Sequence, residues 1–260
     1  MDKTDLAAPR WRALVRPPPA SYAQALTRDA EPRPVDLPLA LEQHAAYVAA
    51  LREVGVAVTE LPPDDRFPDS CFVQDPAFVL DTILVVGRPG APSRRHEEHD
   101  LVKALEPAGL AVYRMTKPCT LEGGDLIVTE DKLYVGLSGR TNRLACEMLQ
   151  MVFARPVIGV PVPQRFLHLL TGCSYLGNNR LLTTAECAAV PELASFKHLV
   201  VPEEEWPASN VLALGSDAIL PAGFPQTARM LEEEGFTLHP VPLTEYEKRD
   251  GSVTCLSLIY

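Results

Sequence analysis

A strand–strand–helix–strand pattern recurs along the chain, and it constrains the fold more than any other feature of the sequence. Strand-like stretches come in pairs joined by short links of turn-forming residues, and most pairs are followed by a helical pattern and a further strand. The second strands of four successive units begin near Thr82, Lys132, Arg180 and Asp217, which are 50, 48 and 37 residues apart. A repeat of this length is typical of a radial array or a solenoid.

The paired strands are predicted from runs of apolar and β-branched residues that flank short polar turns. The first and second strands are predicted at 77–80 and 82–86 in unit one and at 126–129 and 133–137 in unit two. They are predicted at 174–176 and 180–183 in unit three and at 211–214 and 218–220 in unit four. Phe72 and Val73 are predicted to add a short piece of strand at the start of unit one. The third strands are predicted at 111–115, 157–160, 199–201 and 238–241.

Helices are predicted where apolar residues recur at three- and four-residue spacing. The stretches that show this pattern are 41–54, 101–105, 144–152 and 228–231. Thr141 is predicted to cap the third of these helices. The pattern over residues 188–196 is weaker because Pro191 interrupts it.

A fifth unit can be assembled from the two ends of the chain. Residues 253–259 would supply its first strand and residues 12–15 its second, while the helix at 41–54 and a strand at 56–59 would complete it. Joining both ends in one unit would close a ring and leave no open sheet edge there. Since no change in composition marks a boundary, we predict a single α/β domain over residues 1–260.

The overall charge and the cysteine pattern exclude several classes of protein. A formal net charge of −10 argues against binding to nucleic acid or to an anionic membrane surface, both of which need a basic face. No stretch approaches the about 18 apolar residues of a membrane span, and the first residues lack the apolar core of a signal peptide. The six cysteines are widely spread and form no C-x-x-C pair, which excludes the common zinc-binding and thioredoxin-like motifs. We therefore expect a cytoplasmic protein with free thiols.

Residues capable of chemistry occupy similar places in different units. Asp69 and Asp75 flank the start of unit one, Glu122 precedes the first strand of unit two, His168 precedes that of unit three, and Cys255 lies in the predicted first strand of unit five. If the units surround an axis, these residues converge on it. A thiolate can then attack an electrophilic carbon, an imidazole can transfer protons, and a carboxylate can orient the reacting group. Taken singly, His168 and Cys255 also fit a buried core histidine and a buried core thiol.

Two arginines complete the candidate set. Arg94 and Arg140 lie where a strand ends and a helix begins, a position that favours anions, and arginine adds bidentate binding of carboxylates. Surface pairing with Glu97 and Glu98 is the alternative interpretation of Arg94. Together with the acidic residues, the arginines indicate a pocket with an anionic half and a cationic half, suited to a zwitterionic substrate with a cationic side chain.

The sequence resembles the dimethylarginine dimethylaminohydrolase family, which belongs to the guanidino-group-modifying enzymes. The resembling motifs run in family order over nearly the whole chain: LPPDDRFPDS (61–70), FVQDP (72–76), RPGAPSRR (88–95), LEGGD (121–125), GRTN (139–142), LHL (167–169) and DGSVTCLS (250–257). The resemblance implies a five-bladed α/β propeller, or pentein, of pseudo-symmetric ββαβ units around a central active-site pocket. This number of units agrees with the count reached from the repeats.

The resemblance also implies roles for individual residues. Cys255 matches the family's nucleophile, His168 its general acid and base, and Glu122 the carboxylate that orients the guanidinium and the histidine. Asp75 matches a second contact to the guanidinium. The chemistry implied needs neither a metal nor an organic cofactor.

The remaining matches concern the amino-acid end of a small arginine-derived substrate. Asp69 and the carbonyl group of Leu26 match contacts to the α-amino group, and Arg94 and Arg140 match binding of the carboxylate. The carbonyl group of Arg249 matches a backbone contact to the substrate. The resemblance leaves the oligomeric state open, a homodimer included.

One position departs from the family pattern. The family usually has Phe-Val-Glu-Asp where this chain has Gln74 before Asp75. A charge-assisted hydrogen bond would become a neutral one, which we expect to weaken binding of a cation by about 1 kcal/mol. The preferred substituent on the guanidinium is therefore left open.

The function predicted is hydrolysis of Nω-methylated arginines to citrulline and a methylated amine through a covalent thiouronium intermediate on Cys255. The nearest alternatives are an arginine deiminase or dihydrolase and an amidinotransferase on the same scaffold. A non-catalytic protein that binds arginine derivatives is an alternative from a different class, and a structural propeller with incidental cysteines is a third.

Overall fold

Five three-stranded β-sheets organise the computed structural model, which describes residues 9–260. In chain order the strands are β1 Arg12–Val15, β2 Ala57–Glu60, β3 Ala77–Leu80, β4 Ile83–Val86, β5 Ala111–Arg114, β6 Leu126–Val128, β7 Leu133–Leu137, β8 Val157–Pro161, β9 Cys173–Tyr175, β10 Arg180–Thr183, β11 Lys197–Val200, β12 Leu212–Leu214, β13 Asp217–Pro221, β14 Thr237–Val241 and β15 Ser257–Ile259. In every sheet the middle strand is antiparallel to the first strand and parallel to the third. Short turns suffice for the antiparallel pairs, whereas the parallel pairs need a longer crossover.

The helices lie mainly in these crossovers. They are α1 Leu37–Glu53, α2 Glu98–Leu105, α3 Leu144–Val152, α4 Leu169–Gly172, α5 Ala185–Ala188, α6 Pro225–Glu233 and α7 Thr244–Glu247. Short 3₁₀ turns occur at Tyr22–Gln24, Pro92–Arg94, Glu106–Ala108, Gly123–Asp125, Pro191–Leu193, Glu203–Ser209 and Val253–Leu256. The predicted order of strand, strand, helix and strand is confirmed in all five units.

The fifth unit is built from both ends of the chain, as predicted. Strand β15 pairs with β1 in antiparallel fashion, with Ile259 opposite Ala13, and β1 pairs with β2 in parallel fashion. Helix α1 forms the crossover between β1 and β2. The two ends are thus hydrogen-bonded into one sheet.

The five units are closed into a ring by apolar cores that neighbouring units share. Successive residues of a strand point to opposite faces, so each buried middle strand contributes side chains to the cores on both of its sides. Representative pairs across the five cores are Val85 with Leu133, Tyr134 with Leu181, Leu182 with Ala218, Ile219 with Ala13, and Leu14 with Leu84. The sequence of contacts returns to unit one, which is the topology of a five-bladed α/β propeller.

Two predicted strand segments are turns in the structure. The N–H of Phe72 donates to the carbonyl of Asp69 at 2.9 Å, and the prediction of a strand at Phe72 and Val73 was wrong. Cys255 belongs to the 3₁₀ turn Val253–Leu256, where its N–H donates to the carbonyl of Ser252 at 3.1 Å. The strand of unit five begins only at Ser257. Apolar residues in tight turns of a buried loop carry the same sequence signal as a short buried strand.

Thr141 does not cap α3, because it is used elsewhere. Its Oγ1 accepts the N–H of Glu122 at 3.1 Å, and α3 begins after Arg143 with no side-chain cap. The weak helical stretch over residues 188–196 divides into the end of α5 and a 3₁₀ turn that starts at Pro191, as expected from the missing N–H of proline.

All six cysteines of the chain are free thiols, and Cys255 is the one that is not fully buried. Among the helices of residues 9–260, none combines the length and the apolar character that a membrane crossing requires.

Candidate active site

Eight of the ten predicted site residues line one small cavity of about 20 Å³ at the centre of the ring. They are Leu26, Asp69, Asp75, Arg94, Arg140, His168, Arg249 and Cys255. Three of the units contribute a segment that precedes their first strand, with Asp69 and Asp75 in unit one, His168 in unit three and Cys255 in unit five. Arg94 and Arg140 follow the middle strands of units one and two. The predicted convergence of these segments on one place is therefore what the fold produces.

Glu122 lies directly behind this cavity and is fully buried. Its Oε2 is 2.7 Å from Nε2 of His168, and its Oε1 accepts the N–H of Gly90 at 2.9 Å and lies 3.4 Å from Nη1 of Arg140. Burial disfavours the charged carboxylate, but the hydrogen bond and the charge of His168, with the charges of Arg94 and Arg140, outweigh it and lower the pKa of Glu122 to about 2. Glu122 is thus an anion that holds the imidazole.

His168 is placed at the start of α4, where its N–H donates to Oγ1 of Thr171 at 3.2 Å. Its Nδ1 lies 3.9 Å from Oδ1 of Asp75. Burial lowers the pKa of the imidazole, but nearby carboxylates, including those of Asp75 and Glu122, outweigh it and raise that pKa to about 9. His168 is therefore protonated at neutral pH and can act as a general acid.

The imidazole fits only because residue 124 is glycine. A Cβ atom at Gly124 would lie 2.6 Å from Nδ1 of His168, which is closer than real contacts allow. The N–H of Gly124 also donates to Oδ1 of Asp75 at 3.2 Å. Gly124 of the LEGGD motif thus leaves room for the imidazole beside the backbone, whereas Gly123 allows the close approach of the Gln74 carbonyl, with which a Cβ atom placed there would clash.

Arg94 is buried and its guanidinium is occupied by protein groups. Nη1 lies 2.6 Å from Oδ2 of Asp75, Nη2 lies 2.9 Å from Oε2 of Glu97, and Nη2 also donates to the carbonyl of Phe72 at 3.3 Å. The predicted pairing with Glu97 is present, whereas the other glutamate considered, Glu98, contacts Arg114 at 3.9 Å. The guanidinium of Arg94 still lines the cavity, so it adjoins the place predicted for the substrate carboxylate.

Cys255 faces the cavity from the 3₁₀ turn of unit five. Asn210 fixes this turn, since its Oδ1 accepts the N–H of Thr254 at 3.1 Å and its Nδ2 donates to Oγ1 of Thr254 at 2.8 Å. Burial, together with the negative charge of Asp75, raises the pKa of the Cys255 thiol to about 12. The side chain is thus a thiol at neutral pH until a cation stabilises the thiolate.

The segment that precedes α1 covers one side of the cavity. The N–H of Leu26 donates to Oδ1 of Asp69 at 3.1 Å, and burial raises the pKa of Asp69. The guanidinium of Arg249 donates to the carbonyl of Ala23 at 2.8 Å and to that of Arg33 at 3.1 Å. Sequence reasoning assigned a role to the carbonyl of Arg249 and missed this anchoring by its side chain.

Gln74 is the predicted site residue that the structure places apart from the others. It lines a separate cavity of about 160 Å³ with Thr254 and Ser257, and its Oε1 is buried without a hydrogen-bond partner. Adjacent residues in the turn direct their side chains differently, so Asp75 reaches the central cavity and Gln74 does not line it. The structure thus gives no support to the predicted contact between Gln74 and a bound guanidinium.

A larger cavity of about 250 Å³ adjoins the central one. Cys255, Leu167, Asp250 and Gly251 line both of them, and Trp206 lines the larger one alone. Cys255 therefore lies on the boundary between the two spaces.

Arg28 anchors the loop that borders this larger cavity. Its guanidinium donates to the carbonyl groups of Arg165 and Gln164, each at 2.7 Å, and its N–H donates to Oδ2 of Asp250 at 2.7 Å. Nothing in the local sequence of Arg28 indicated these contacts, because its partners lie more than 130 positions away along the chain.

Within residues 9–260, two groups of side chains have ligand atoms close enough together to hold a metal ion. One is Asp75, Glu122 and His168 in the site itself, and the other is His96, Glu98 and His99 near the start of α2. In the first group, Glu122 and His168 are hydrogen-bonded to each other, and Asp75 is paired with Arg94. The side chains that could bind a metal ion in this group are thus already hydrogen-bonded or ion-paired to protein groups.

Comparisons with known proteins agree with the fold. A sequence model described as eukaryotic N,N dimethylarginine dimethylhydrolase matches residues 23–170. The N(G),N(G)-dimethylarginine dimethylaminohydrolase of Pseudomonas aeruginosa is 38% identical over 250 residues, which cover 94% of this chain and 97% of that protein. The enzyme of the same name from Streptomyces coelicolor is 38% identical over 253 residues, with 96% and 97% covered.

Solved structures show the same relationship. A cysteine-to-serine variant of the Pseudomonas aeruginosa enzyme, complexed with citrulline, superposes with a TM-score of 0.91 at 35% identity and covers 96% of this chain and 98% of that one. The N-terminal domain of the cyanobacterial arginine dihydrolase ArgZ has a TM-score of 0.85 at 23% identity, with 96% and 97% covered, and shares the fold. The shared fold and these relatives define a member of the guanidino-modifying class. The chain belongs to the dimethylarginine dimethylaminohydrolase family.

Proposed function

We propose that this protein is a hydrolase of linear amidines that converts Nω-methylated arginines, namely asymmetric dimethylarginine and monomethylarginine, to citrulline and dimethylamine or methylamine. The observation that carries the proposal is the meeting of Cys255, His168 and Asp75 in one cavity, with Glu122 at 2.7 Å from His168. A thiol, a protonated imidazole and two carboxylates are the groups that such a reaction needs.

Binding begins with charge complementarity. The guanidinium of the substrate binds at Asp75 and Glu122, and the amino-acid end binds at Asp69, Arg94 and Arg140. A substrate carboxylate near Arg94 would compete with Asp75 for the arginine, which would free Asp75 for the substrate cation. The exchange keeps every charge in the buried site paired, which a dry site requires.

The first chemical step forms a covalent intermediate. Binding of the cation favours loss of the Cys255 thiol proton to solvent, and the sulfur of the resulting thiolate adds to the central guanidinium carbon. Protonated His168 donates its proton to the methylated nitrogen as the carbon–nitrogen bond breaks, and the amine leaves. A thiouronium remains on Cys255, and His168 is neutral.

The second step hydrolyses this intermediate. Neutral His168 takes a proton from water, and the resulting hydroxide adds to the thiouronium carbon. The carbon–sulfur bond then breaks and the hydroxyl proton of the adduct passes to the sulfur, which releases citrulline and restores the Cys255 thiol, while His168 is again protonated. Glu122 keeps the imidazole oriented throughout.

The decisive test identifies the amine released from asymmetric dimethylarginine, monomethylarginine, arginine and agmatine. We expect dimethylamine or methylamine together with citrulline, and loss of turnover in Cys255→Ser with an unchanged fold. Cys146→Ser, a buried thiol of unit two, is the matched control and should keep its activity. Ammonia from arginine as the main product would identify a deiminase instead, and binding without turnover would identify a binding protein.

Agmatine tests the binding of the amino-acid end separately, since it lacks the carboxylate. Equal turnover of agmatine and of the methylated arginines would refute the roles proposed for Arg94 and Arg140.

We also propose that residues 1–260 form one catalytic domain, supported by the ring that both ends close. Light scattering on the purified protein would distinguish a monomer from a homodimer.

A further inference from the structure

Asp125 is a fully buried carboxylate that the proposed reaction does not use. Its Oδ1 accepts the N–H of Leu169 at 2.9 Å, and its Oδ2 accepts the hydroxyl of Ser138 at 2.6 Å. Within residues 9–260 it forms no salt bridge, so its charge is stabilised by dipoles and by the nearby charge of His168. Burial raises the pKa of Asp125 to about 6. A buried charge without a directly paired counter-ion is costly, which calls for a reason to keep it.

The first of its two hydrogen bonds fixes the backbone beside His168. Leu169 is the next residue in the chain and the first residue of α4. Its N–H is one of the unpaired donors at a helix start, and Asp125 satisfies it from a neighbouring unit. The peptide that carries His168 is therefore anchored to the LEGGD loop.

The second hydrogen bond orders the loop that carries Arg140. Because the hydroxyl of Ser138 donates its only hydrogen to Asp125, its lone pairs can accept the N–H groups of Arg140 at 3.0 Å and Thr141 at 3.2 Å. Oγ1 of Thr141 in turn accepts the N–H of Glu122 at 3.1 Å. One carboxylate is thus connected to the backbone of the residues that hold His168 and bind the substrate.

The surrounding backbone leaves space for this carboxylate. A Cβ atom at Gly136, in the middle strand of unit two, would lie 2.5 Å from Oδ1 of Asp125. Any larger residue at 136 would therefore displace the carboxylate from its present position.

We propose that Asp125 is a positioning residue of the active site, which sets the loops of His168, Glu122 and Arg140 relative to one another and stabilises the protonated imidazole of His168 through its buried charge. The effect on turnover rests on the proposed function. The effect on the charge state of His168 does not, and it can be measured without any substrate.

Electrostatics support the second part of this role. Burial lowers the pKa of His168, and the charges of Asp75, Asp125 and Glu122 together outweigh it and raise that pKa to about 9. Removing one of these charges should lower the pKa again. Since the protonated imidazole donates to the departing amine, the alkaline limit of activity should move to lower pH.

The test replaces the charge and keeps the shape. In Asp125→Asn we expect the pKa of His168, followed by NMR in the substrate-free protein, to fall by about one unit. Asp217→Asn is the matched control, because Oδ1 of Asp217 lies 2.8 Å from Nε2 of His239 in unit four. It should leave the pKa of His168 unchanged. An unaltered pKa of His168 in folded Asp125→Asn would overturn the electrostatic role.

Ser138→Ala tests the second hydrogen bond of Asp125 separately from the first, and it perturbs the core less than Asp125→Asn. We expect it to raise KM for substrates that carry a carboxylate, through Arg140, and to leave the pKa of His168 unchanged. A wild-type KM in this variant would overturn the positioning role of the hydrogen bond between Asp125 and Ser138, even if Asp125→Asn failed to fold. If the wild-type protein released no methylated amine, the proposed function would fail, while the titration of His168 would still decide the electrostatic role.

Discussion

Nη1 of Arg94 lies 2.6 Å from Oδ2 of Asp75, and both side chains are buried beside the central cavity. The pair joins a residue assigned to the carboxylate of the substrate with one assigned to its guanidinium. Arg94 and Asp75 thus neutralise each other, and a zwitterionic ligand can exchange partners with both residues at once.

This pairing predicts a large cost for removing the cation. Arg94→Ala would remove the buried cation that is paired with both Asp75 and Glu97, and we expect it to lower the free energy of unfolding by about 3–5 kcal/mol. Chemical denaturation monitored by circular dichroism measures this loss. Arg52→Ala, which breaks the exposed pair of Arg52 and Glu60, is the control and should change stability little. A similar small change in both variants would contradict the importance of the buried pair.

The thiol of Cys255 should respond to the charge of a reagent. Because its pKa is about 12, a neutral alkylating agent should react slowly at pH 7. We expect 2-chloroacetamidine to inactivate the protein at least about tenfold faster than 2-chloroacetamide, because its amidinium stabilises the thiolate by one pKa unit or more. The rates are read from residual activity and from mass spectrometry. Equal rates, or labelling that persists in Cys255→Ser, would contradict activation by a bound cation.

The Glu122–His168 pair predicts how stability varies with pH. The pKa of His168 is raised to about 9 in the folded state, so its contribution is complete below about 6.5, the unfolded value, and is lost as the pH rises towards 9. The pKa of Glu122 is lowered to about 2, so its contribution is present above about 4.5 and is lost as the pH falls towards 2. Denaturation at a series of pH values should show both losses.

His168→Gln is the variant that tests this assignment. It removes the titrating imidazole, so the decline in stability between pH 6.5 and 9 should become smaller than in the wild-type protein. His198→Gln, a histidine of unit three that contacts the carbonyl of Leu193, should leave the decline unchanged. The same alkaline decline in His168→Gln and the wild type would assign it to another group.

The contact between Gly124 and His168 predicts a steric effect on catalysis. In Gly124→Ala the new methyl group would displace the imidazole, and a shift of about 1 Å in a catalytic group can reduce the rate about 100-fold. Citrulline formation under saturating substrate measures kcat. Gly139→Ala is the matched control, because a Cβ atom there meets nothing within 4 Å. Full activity in Gly124→Ala would show that the imidazole has room to move.

Much of the architecture could be predicted from the sequence because it depends on local patterns. Apolar runs of strand length, short polar turns and helical spacing define each unit. The stretches at 12–15 and 253–259 each supply only part of a unit, so together they predict the fifth one. The LEGGD, LHL and DGSVTCLS motifs located Glu122, His168 and Cys255 before any geometry was known. A regular repeat also predicts that equivalent loops share one end of the ring.

Only the tertiary structure decided which groups meet and in which direction side chains point. The same apolar letters at Phe72 and Val73 suit a strand or a turn, and the turn sends Asp75 to the cavity and Gln74 away from it. Thr141 has the sequence signature of a helix cap, yet a stronger partner, the N–H of Glu122, comes from another loop. Asp125 had no signal of its own, because its role depends on hydrogen bonds to residues 13 and 44 positions away. Periodicity records how a segment packs locally, whereas such contacts form only when distant loops are brought together by the closed ring.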